Sequence, residues 1–383
     1  MEPNKKSIFH FVVLLGLLSL FSDITYEGAR SIIGPFLAFL GASATIVGFT
    51  AGFGEFLGYA LRIFSGFILD KTKKYWLILF LGYSINLFAI PALALVGCWQ
   101  LAFLLIIAER TGKAIRTPAR DTILSYATFQ IGRGLGFSIH EALDQIGAII
   151  GPLIVALIFY LKGNYKVAFG ILLIPALIAI SILIVAKRFY PSPEKLEIKL
   201  SQLETKGFSK TFWLYLISMG LWGAGYVDFA LIAYHFKKTL ILSEEWIPIF
   251  YAIAMGVDAF SALILGYLFD KKGIKILIGS MLISIGFVPL VFLGDFYLSL
   301  LGIVIWGMGF GIQESIVRAM VSILTPKEKR GSGYGIFHTG FGLAWFLGSF
   351  TLGVLYDLSI YALIIFSVLI QFLGILVLTK VKI

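Results

Sequence analysis

The chain has 383 residues, of which 59% are hydrophobic and 14% charged, and its formal net charge is +10. A soluble globule carries about 25% charged residues, so the composition excludes a chain built for water and marks a polytopic membrane protein. The single cysteine, Cys98, excludes an internal disulfide and a multi-cysteine metal site.

Met1–Ser7 is short and polar and lacks a small-residue cleavage site, so the apolar run from Ile8 is expected to be retained as a span rather than removed. Apolar runs of bilayer-crossing length, about 20 residues, then recur to the end of the chain. They are expected to be helices, because an isolated strand cannot satisfy its backbone groups inside lipid. The first, 8–39, is long for one crossing. Its centre, Ser22-Asp23-Ile24-Thr25-Tyr26-Glu27-Gly28-Ala29-Arg30, is polar, and Gly34-Pro35 invites a kink. Asp23, Glu27 and Arg30 stand at i, i+4 and i+7 and so share a face. The second, 45–69, places Glu55 and Arg62 on one face and ends in Gly66-Phe-Ile-Leu-Asp70-Lys71-Thr72-Lys73-Lys74.

A third helix is predicted over 75–96 and a fourth over 99–126. The fourth holds Glu109 and Arg110 near its middle, while Arg116, Arg120 and Asp121 are expected at its cytoplasmic end as solvated or loop-locking charges. The fifth, 135–161, groups His140, Glu141 and Asp144, with Asp144 on the face of Gly147 and Gly151. His140 is the one histidine with acidic neighbours, and such a group titrates near physiological pH. After a sixth helix over 167–187 comes the longest polar connection, 188–210, read as a solvated linker. Six more helices follow, over 211–236, 246–269, 274–294, 297–324, 332–356 and 359–379. Asp228 lies in the seventh, Asp258 in the eighth, and Glu314 and Arg318 stand at i, i+4 in the tenth.

The second half echoes the first. Gly66, Asp70 and Lys71 return as Gly266, Asp270 and Lys271, 200 positions on. Arg133-Gly134 returns as Arg330-Gly331, and Gly151 as Gly348, both 197 positions on. The expected fold is an all-α membrane protein of twelve transmembrane helices in two pseudo-symmetric six-helix bundles: 1–187, the cytoplasmic linker 188–210, and 211–383. Orientation follows from the basic residues: with both termini cytoplasmic, twenty lie in inner segments and four in outer loops. The same placement at span ends, with no basic face, argues against nucleic-acid binding.

Two six-helix halves with Gly-x-x-x-Asp-Lys after the second and eighth spans resemble the major facilitator superfamily, across essentially the whole chain. That family's signature is G-x-L-a-D-r-x-G-r-[rk]; the second copy keeps its later glycine as Gly273, and the first has Lys73 there. The absence of a side chain at Gly66 is expected to let a neighbouring helix come close. By the resemblance, Asp70, and more weakly Asp270, helps lock one conformation. Glu109-Arg110-Thr-Gly-Lys113-Ala is similar to the family's R-x-x-q-G motif, with Lys113 in place of the glutamine. Gly147-Ala-Ile-Ile-Gly151-Pro152 matches the core of the proton-coupled exporters' pattern, although the downstream Gly-Gly is Ile154-Val155. The segments 109–121, 136–153 and 306–335 look like bacterial and archaeal permeases of unassigned substrate. The resemblance puts helices one, four, seven and ten around a central cavity, and with them Asp23, Glu27, Arg30, Glu109, Arg110, Asp228, Glu314 and Arg318.

The expected function is secondary active transport of a small molecule by alternating access in the cytoplasmic membrane, by a monomer without cofactor or metal. No phosphate-binding Gly-x-x-x-x-Gly-Lys-Ser/Thr is present, so protons are the expected energy source. Asp23 or Asp144 is the expected proton carrier, with Glu314 next. Export by antiport follows from the fifth-helix resemblance; proton-linked uptake of a sugar or organic anion is the alternative. No His-Glu-x-x-His, Gly-x-Ser-x-Gly or Gly-x-Gly-Asp signature supports an intramembrane enzyme, and a non-transporting sensor is the remaining alternative from another class.

Overall fold

A computed structural model describes residues 5–131, 133–191, 207–325 and 330–381. Most of the linker therefore lies outside the described residues, as do the side chains of Arg133 and Arg330 and the surroundings of Gly134 and Gly331. The helices are α1 (Lys5–Phe39), α2 (Ala44–Thr72), α3 (Tyr75–Ala92), α4 (Trp99–Ile131), α5 (Arg133–Tyr160), α6 (Tyr165–Ile171), α7 (Leu173–Phe189), α8 (Lys210–Gly225), α9 (Phe229–Thr239), α10 (Trp246–Lys272), α11 (Ile274–Ile285), α12 (Phe287–Leu293), α13 (Phe296–Ile312), α14 (Arg318–Leu324), α15 (Arg330–Leu358) and α16 (Ile360–Leu378). A π-helical turn, Gln313–Val317, joins α13 to α14.

The pairs α6–α7, α8–α9, α11–α12 and α13–α14 each make one interrupted span, so the described residues carry twelve, as predicted. Eleven are long and apolar enough to cross a membrane; α4 is the exception, because Glu109, Arg110, Lys113, Arg116, Arg120 and Asp121 crowd its middle.

Two compact units are present: 1–30 with 57–200, and 31–56 with 201–383. Within the first, glycines set the helix spacing. A Cβ at Gly82 of α3 would stand 2.6 Å from Arg116 N and 2.8 Å from Gly112 O of α4. One at Gly151 of α5 would stand 2.5 Å from Ile24 O and 2.9 Å from Gly28 N of α1. Such backbone-to-backbone approach is the usual basis of helix association in lipid, where apolar burial alone gives little drive. Pro118 leaves Ala114 O of α4 without its helical donor, and Ser65 Oγ of α2 fills the place at 2.8 Å. A buried apolar cluster of α1, α3, α4 and α7, including Phe11, Leu15, Leu79, Leu87, Ile123 and Leu183, holds one end of these helices together.

In the second unit Gly348 of α15 lies against Ala224 of α8, as Gly151 lies against α1, so the motif echo has the same packing role twice. The seventh span is not the continuous helix expected over 211–236. α8 stops at Gly225, and Asp228 caps α9, its Oδ1 accepting from Ala230 N at 2.9 Å. The exposed carbonyls of the break are taken up by neighbours, as backbone at membrane depth requires. Gly225 O accepts from Ser367 Oγ (2.5 Å) and Gln371 Nε2 (3.2 Å), and Val227 O from Trp306 Nε1 (2.9 Å).

The segment 31–56 packs within this second unit. Asp357, near the end of α15, caps the start of α2: its carboxylate accepts from Ala44 N (3.1 Å), Thr45 N (2.9 Å) and Thr45 Oγ1 (2.7 Å). Phe49 packs edge-on against Phe346 of α15, and Phe53 meets the same ring at a tilt. A carboxylate at a helix N-terminus satisfies orphan N–H groups and the helix dipole together. Asp357→Ala is expected to cost about 0.5–2 kcal/mol, read as a lower unfolding midpoint of the detergent-purified protein. Asp357→Asn should recover part of it, and an unchanged midpoint in both variants would count against the cap.

The signature turn shares a positive φ and one amide hydrogen bond in both copies. Lys73 (φ 54°) and Gly273 (φ 62°) both enter the left-handed region, and their amides donate to Leu69 O and Phe269 O, each at 2.7 Å. The first copy thus keeps the turn without its glycine. Gly66, however, is not a point of close approach: a Cβ there would meet only Pro118 Cβ at 3.9 Å, and one at Gly266 would meet nothing within 4 Å. The space these glycines leave is therefore not used for backbone contact.

Candidate substrate and proton site

Three polar stripes of the first unit converge. On α1, Ser19, Asp23, Tyr26, Glu27 and Arg30 share a face; on α4, Glu109, Lys113, Arg116 and Arg120 stand at i, i+4, i+7 and i+11; on α5, His140, Asp144, Gly147 and Gly151 do the same. Gly147 brings α5 onto α1 at Asp23, where a Cβ on the glycine would stand 2.9 Å from that of Asp23. The packing glycines of the exporter-like motif thus fix the distance between the acids of two helices.

Lys113 Nζ lies 4.0 Å from the centre of the Tyr26 ring, and the Arg116 guanidinium 5.9 Å from the same ring. Arg116 also lies 4.4 Å over the face of Tyr83 of α3. It is fully buried, at 0% exposure, and none of its three nitrogens makes a hydrogen bond of good geometry; the Tyr83 side chain is the one polar neighbour that interacts with it in that way, weakly. Asp23 is 4% exposed with Oδ1 unpartnered, and its electrostatic neighbours are Asp144 of α5, Lys113 and Arg116 of α4, and Glu27 of its own helix.

Around this centre the charges are paired. Glu27 and Arg30 are 3.8 Å apart. Glu109 Oε2 is 3.3 Å from Arg110 Nε, and Asn86 Nδ2 of α3 donates to Glu109 Oε1 at 2.8 Å. Arg120 Nη2 is 2.9 Å from Asp121 Oδ1, and its Nη1 reaches Ser19 Oγ at 3.5 Å. His140 Nδ1 is 3.9 Å from Asp144 Oδ2.

The structure therefore brings together six of the singled-out residues: Asp23, Glu27, Arg30, Glu109, Arg110 and Asp144. It adds Lys113, which the sequence offered only as a substitute for a motif glutamine, and Arg116, which the sequence placed at the cytoplasmic end. Arg116 is interior because α4 runs to Ile131 and because Gly82 and Gly112 let α3 close over it. The unbroken stripe 109, 113, 116, 120 was the available signal. Tyr83 and Asn86 carried no sequence signal of their own.

The second unit holds Asp228, Asp258, Glu314 and Arg318 separately. Asp228 is the helix cap described above. Asp258 of α10 is buried beside Gly311 of α13. Glu314 lies in the π-helical turn, 3.9 Å from Arg318. The wide turn is braced by two tyrosines: Tyr215 Oη donates to Val317 O (3.2 Å) and Tyr334 Oη to Arg318 O (2.9 Å). Such turns inside helices often mark functional positions. Asp70, Lys71, Asp270 and Lys271 are exposed at the ends of α2 and α10. Pro152 is buried in α5 one residue beyond Gly151.

A family profile described as Major Facilitator Superfamily matches residues 15–349. An uncharacterized protein of Mycobacterium tuberculosis is 37% identical over 383 residues, covering 98% of this chain and 94% of that protein. An uncharacterized MFS-type transporter of Methanocaldococcus jannaschii is 27% identical over 372 residues, covering 94% and 91%. Among solved structures, the nucleoside transporter NupG superposes with a TM-score of 0.78 at 17% identity, over 97% of this chain and all of that one. At that identity the likeness concerns the fold alone.

Proposed function

Because this chain belongs to the Major Facilitator Superfamily, whose members transport by alternating access, we propose that it is a proton-coupled secondary transporter whose proton resides on Asp23. One observation carries this: a buried carboxyl group with an unpartnered oxygen, set among two like charges, Asp144 and Glu27, and two opposite ones, Lys113 and Arg116. A change in the occupancy of either side alters the free energy of its ionised form, which is what coupling requires. Glu27, Glu109 and Arg120 are already paired, with Arg30, Arg110 and Asp121.

The location is the cytoplasmic membrane with both termini inside, on the twenty-to-four distribution of basic residues. Export by antiport is the first reading, on the Gly147–Pro152 resemblance. Proton-linked uptake is the second, and the four basic side chains of α4, against its two acidic ones, favour it. The test uses proteoliposomes loaded with a pH-sensitive dye and a panel of nucleosides, dipeptides, sugars and carboxylates. Antiport raises the internal pH as substrate enters, symport lowers it, and a transported compound that moves no protons refutes the coupling. Asp23→Asn is expected to keep substrate counterflow while losing the pH response and proton-driven accumulation. Retained coupling in this variant would remove Asp23 as the carrier.

A further inference from the structure

Arg116 is the group the pairing scheme leaves over. A buried guanidinium with no well-formed acceptor forfeits its hydrogen bonds to water. The two tyrosine faces offset part of that loss by cation–π attraction and leave its N–H groups open to an acceptor. Lys113 stands over the same Tyr26 ring, so two cations converge on one place instead of spreading apart. The carboxylates nearest in sequence and on the stripe are committed: Glu109 to Arg110 and Asn86, and Asp121 to Arg120. Converging donors without acceptors are the complement of an oxyanion.

We propose that Lys113 and Arg116, gathered about Tyr26, bind the oxyanion head of the transported solute, a small organic anion bearing a carboxylate or a phosphate. This rests on the transport role above and names its substrate class. Asp23 is then the internal competitor of the solute. Ionised, it shares the two cations; protonated, it leaves them to the substrate, so proton and anion load together, which selects the second reading above, uptake by symport, over antiport. The groups facing Asp23 that enter this balance are Glu27 and Tyr26 of α1, Lys113 and Arg116 of α4, and Asp144 of α5 with His140 beside it.

The test is thermal stabilisation of the detergent-purified full-length protein by matched pairs: benzoate and benzamide, lactate and lactamide, glycerol 3-phosphate and glycerol. At least one anion should stabilise where its neutral partner does not, and more strongly at mildly acidic than at mildly alkaline pH. Which pair responds separates carboxylate from phosphate. Lys113→Met and Arg116→Lys, the latter keeping the charge but losing the planar fork, should each weaken that binding by roughly 10–100-fold, the worth of one hydrogen bond to a charged group. If Arg116→Lys is not recovered folded, Lys113→Met carries the test alone. Stabilisation by no anion, equal stabilisation by the neutral partners, or unchanged affinity in the variants overturns the proposal. Anion binding that depends on Lys113 and Arg116, without proton movement in liposomes, retains the substrate class and removes the proton role of Asp23. Proton movement with a neutral solute does the reverse.

Discussion

Glu109→Ala is expected to lower stability by about 3–5 kcal/mol, the cost of stripping one partner from a buried ion pair. The carboxylate is almost wholly enclosed, 3.3 Å from Arg110, and is the acceptor for Asn86 across the α3–α4 contact. Alanine leaves a guanidinium without that counter-charge and an amide without that acceptor, in a place where Gly82 and Gly112 hold the backbones too close for water to enter freely. Glu109→Gln keeps a carbonyl oxygen for Asn86 and removes only the charge, so its loss should be smaller. The unfolding midpoint of purified protein reads both. An alanine variant within about 0.5 kcal/mol of the parent, the usual range of neutral surface changes, would show that this pair is not integral to the interior.

Gly151→Val is expected to cost about 3 kcal/mol, the upper end for overpacking. The added Cβ faces Ile24 O, Ile24 Cα and Gly28 N, all backbone atoms of α1 at 2.5–3.0 Å. No rotamer change relieves such a clash; α1 and α5 must part, and Asp23 and Asp144 with them. Gly266→Ala is the control, because nothing lies within 4 Å of its added Cβ. Removing a flexible glycine from an open helix should leave stability unchanged or raise it by about 0.5–1 kcal/mol. Equal losses in the two variants would mean that helix distortion, not contact, sets the cost.

The sequence disclosed the helices and their duplication because lipid imposes its rules residue by residue: each span needs its own length, and basic residues stay at the ends. It disclosed less where one residue does two jobs. Asp228 looked like a buried acid inside an apolar run, but after Gly225 an aspartate also caps a helix, and here it does. Gly66 and Gly151 are both small residues in motifs, yet only Gly151 touches another backbone, since contact depends on which way each glycine faces. Arg116 was misplaced because six charges in one stretch read as an end of a span. The enclosure of Arg116 by Tyr26, Tyr83 and the close approach at Gly82 and Gly112 is tertiary, and hydropathy carries no trace of it. Lys73 shows the opposite case, in which the turn persists although its preferred residue is gone.

The π-helical turn at Gln313–Val317 stores one residue more than ordinary winding needs. Excising a single position there would restore the regular pitch and swing α14 by ~100° about its axis. Glu314 and Arg318 would then address different neighbours, and the hydroxyls of Tyr215 and Tyr334 would lose the carbonyls they now grip. Relatives that differ by one insertion or deletion in this stretch would present a different chemistry from the same helix, so a gap placed here in an alignment changes the meaning of every residue as far as Leu324.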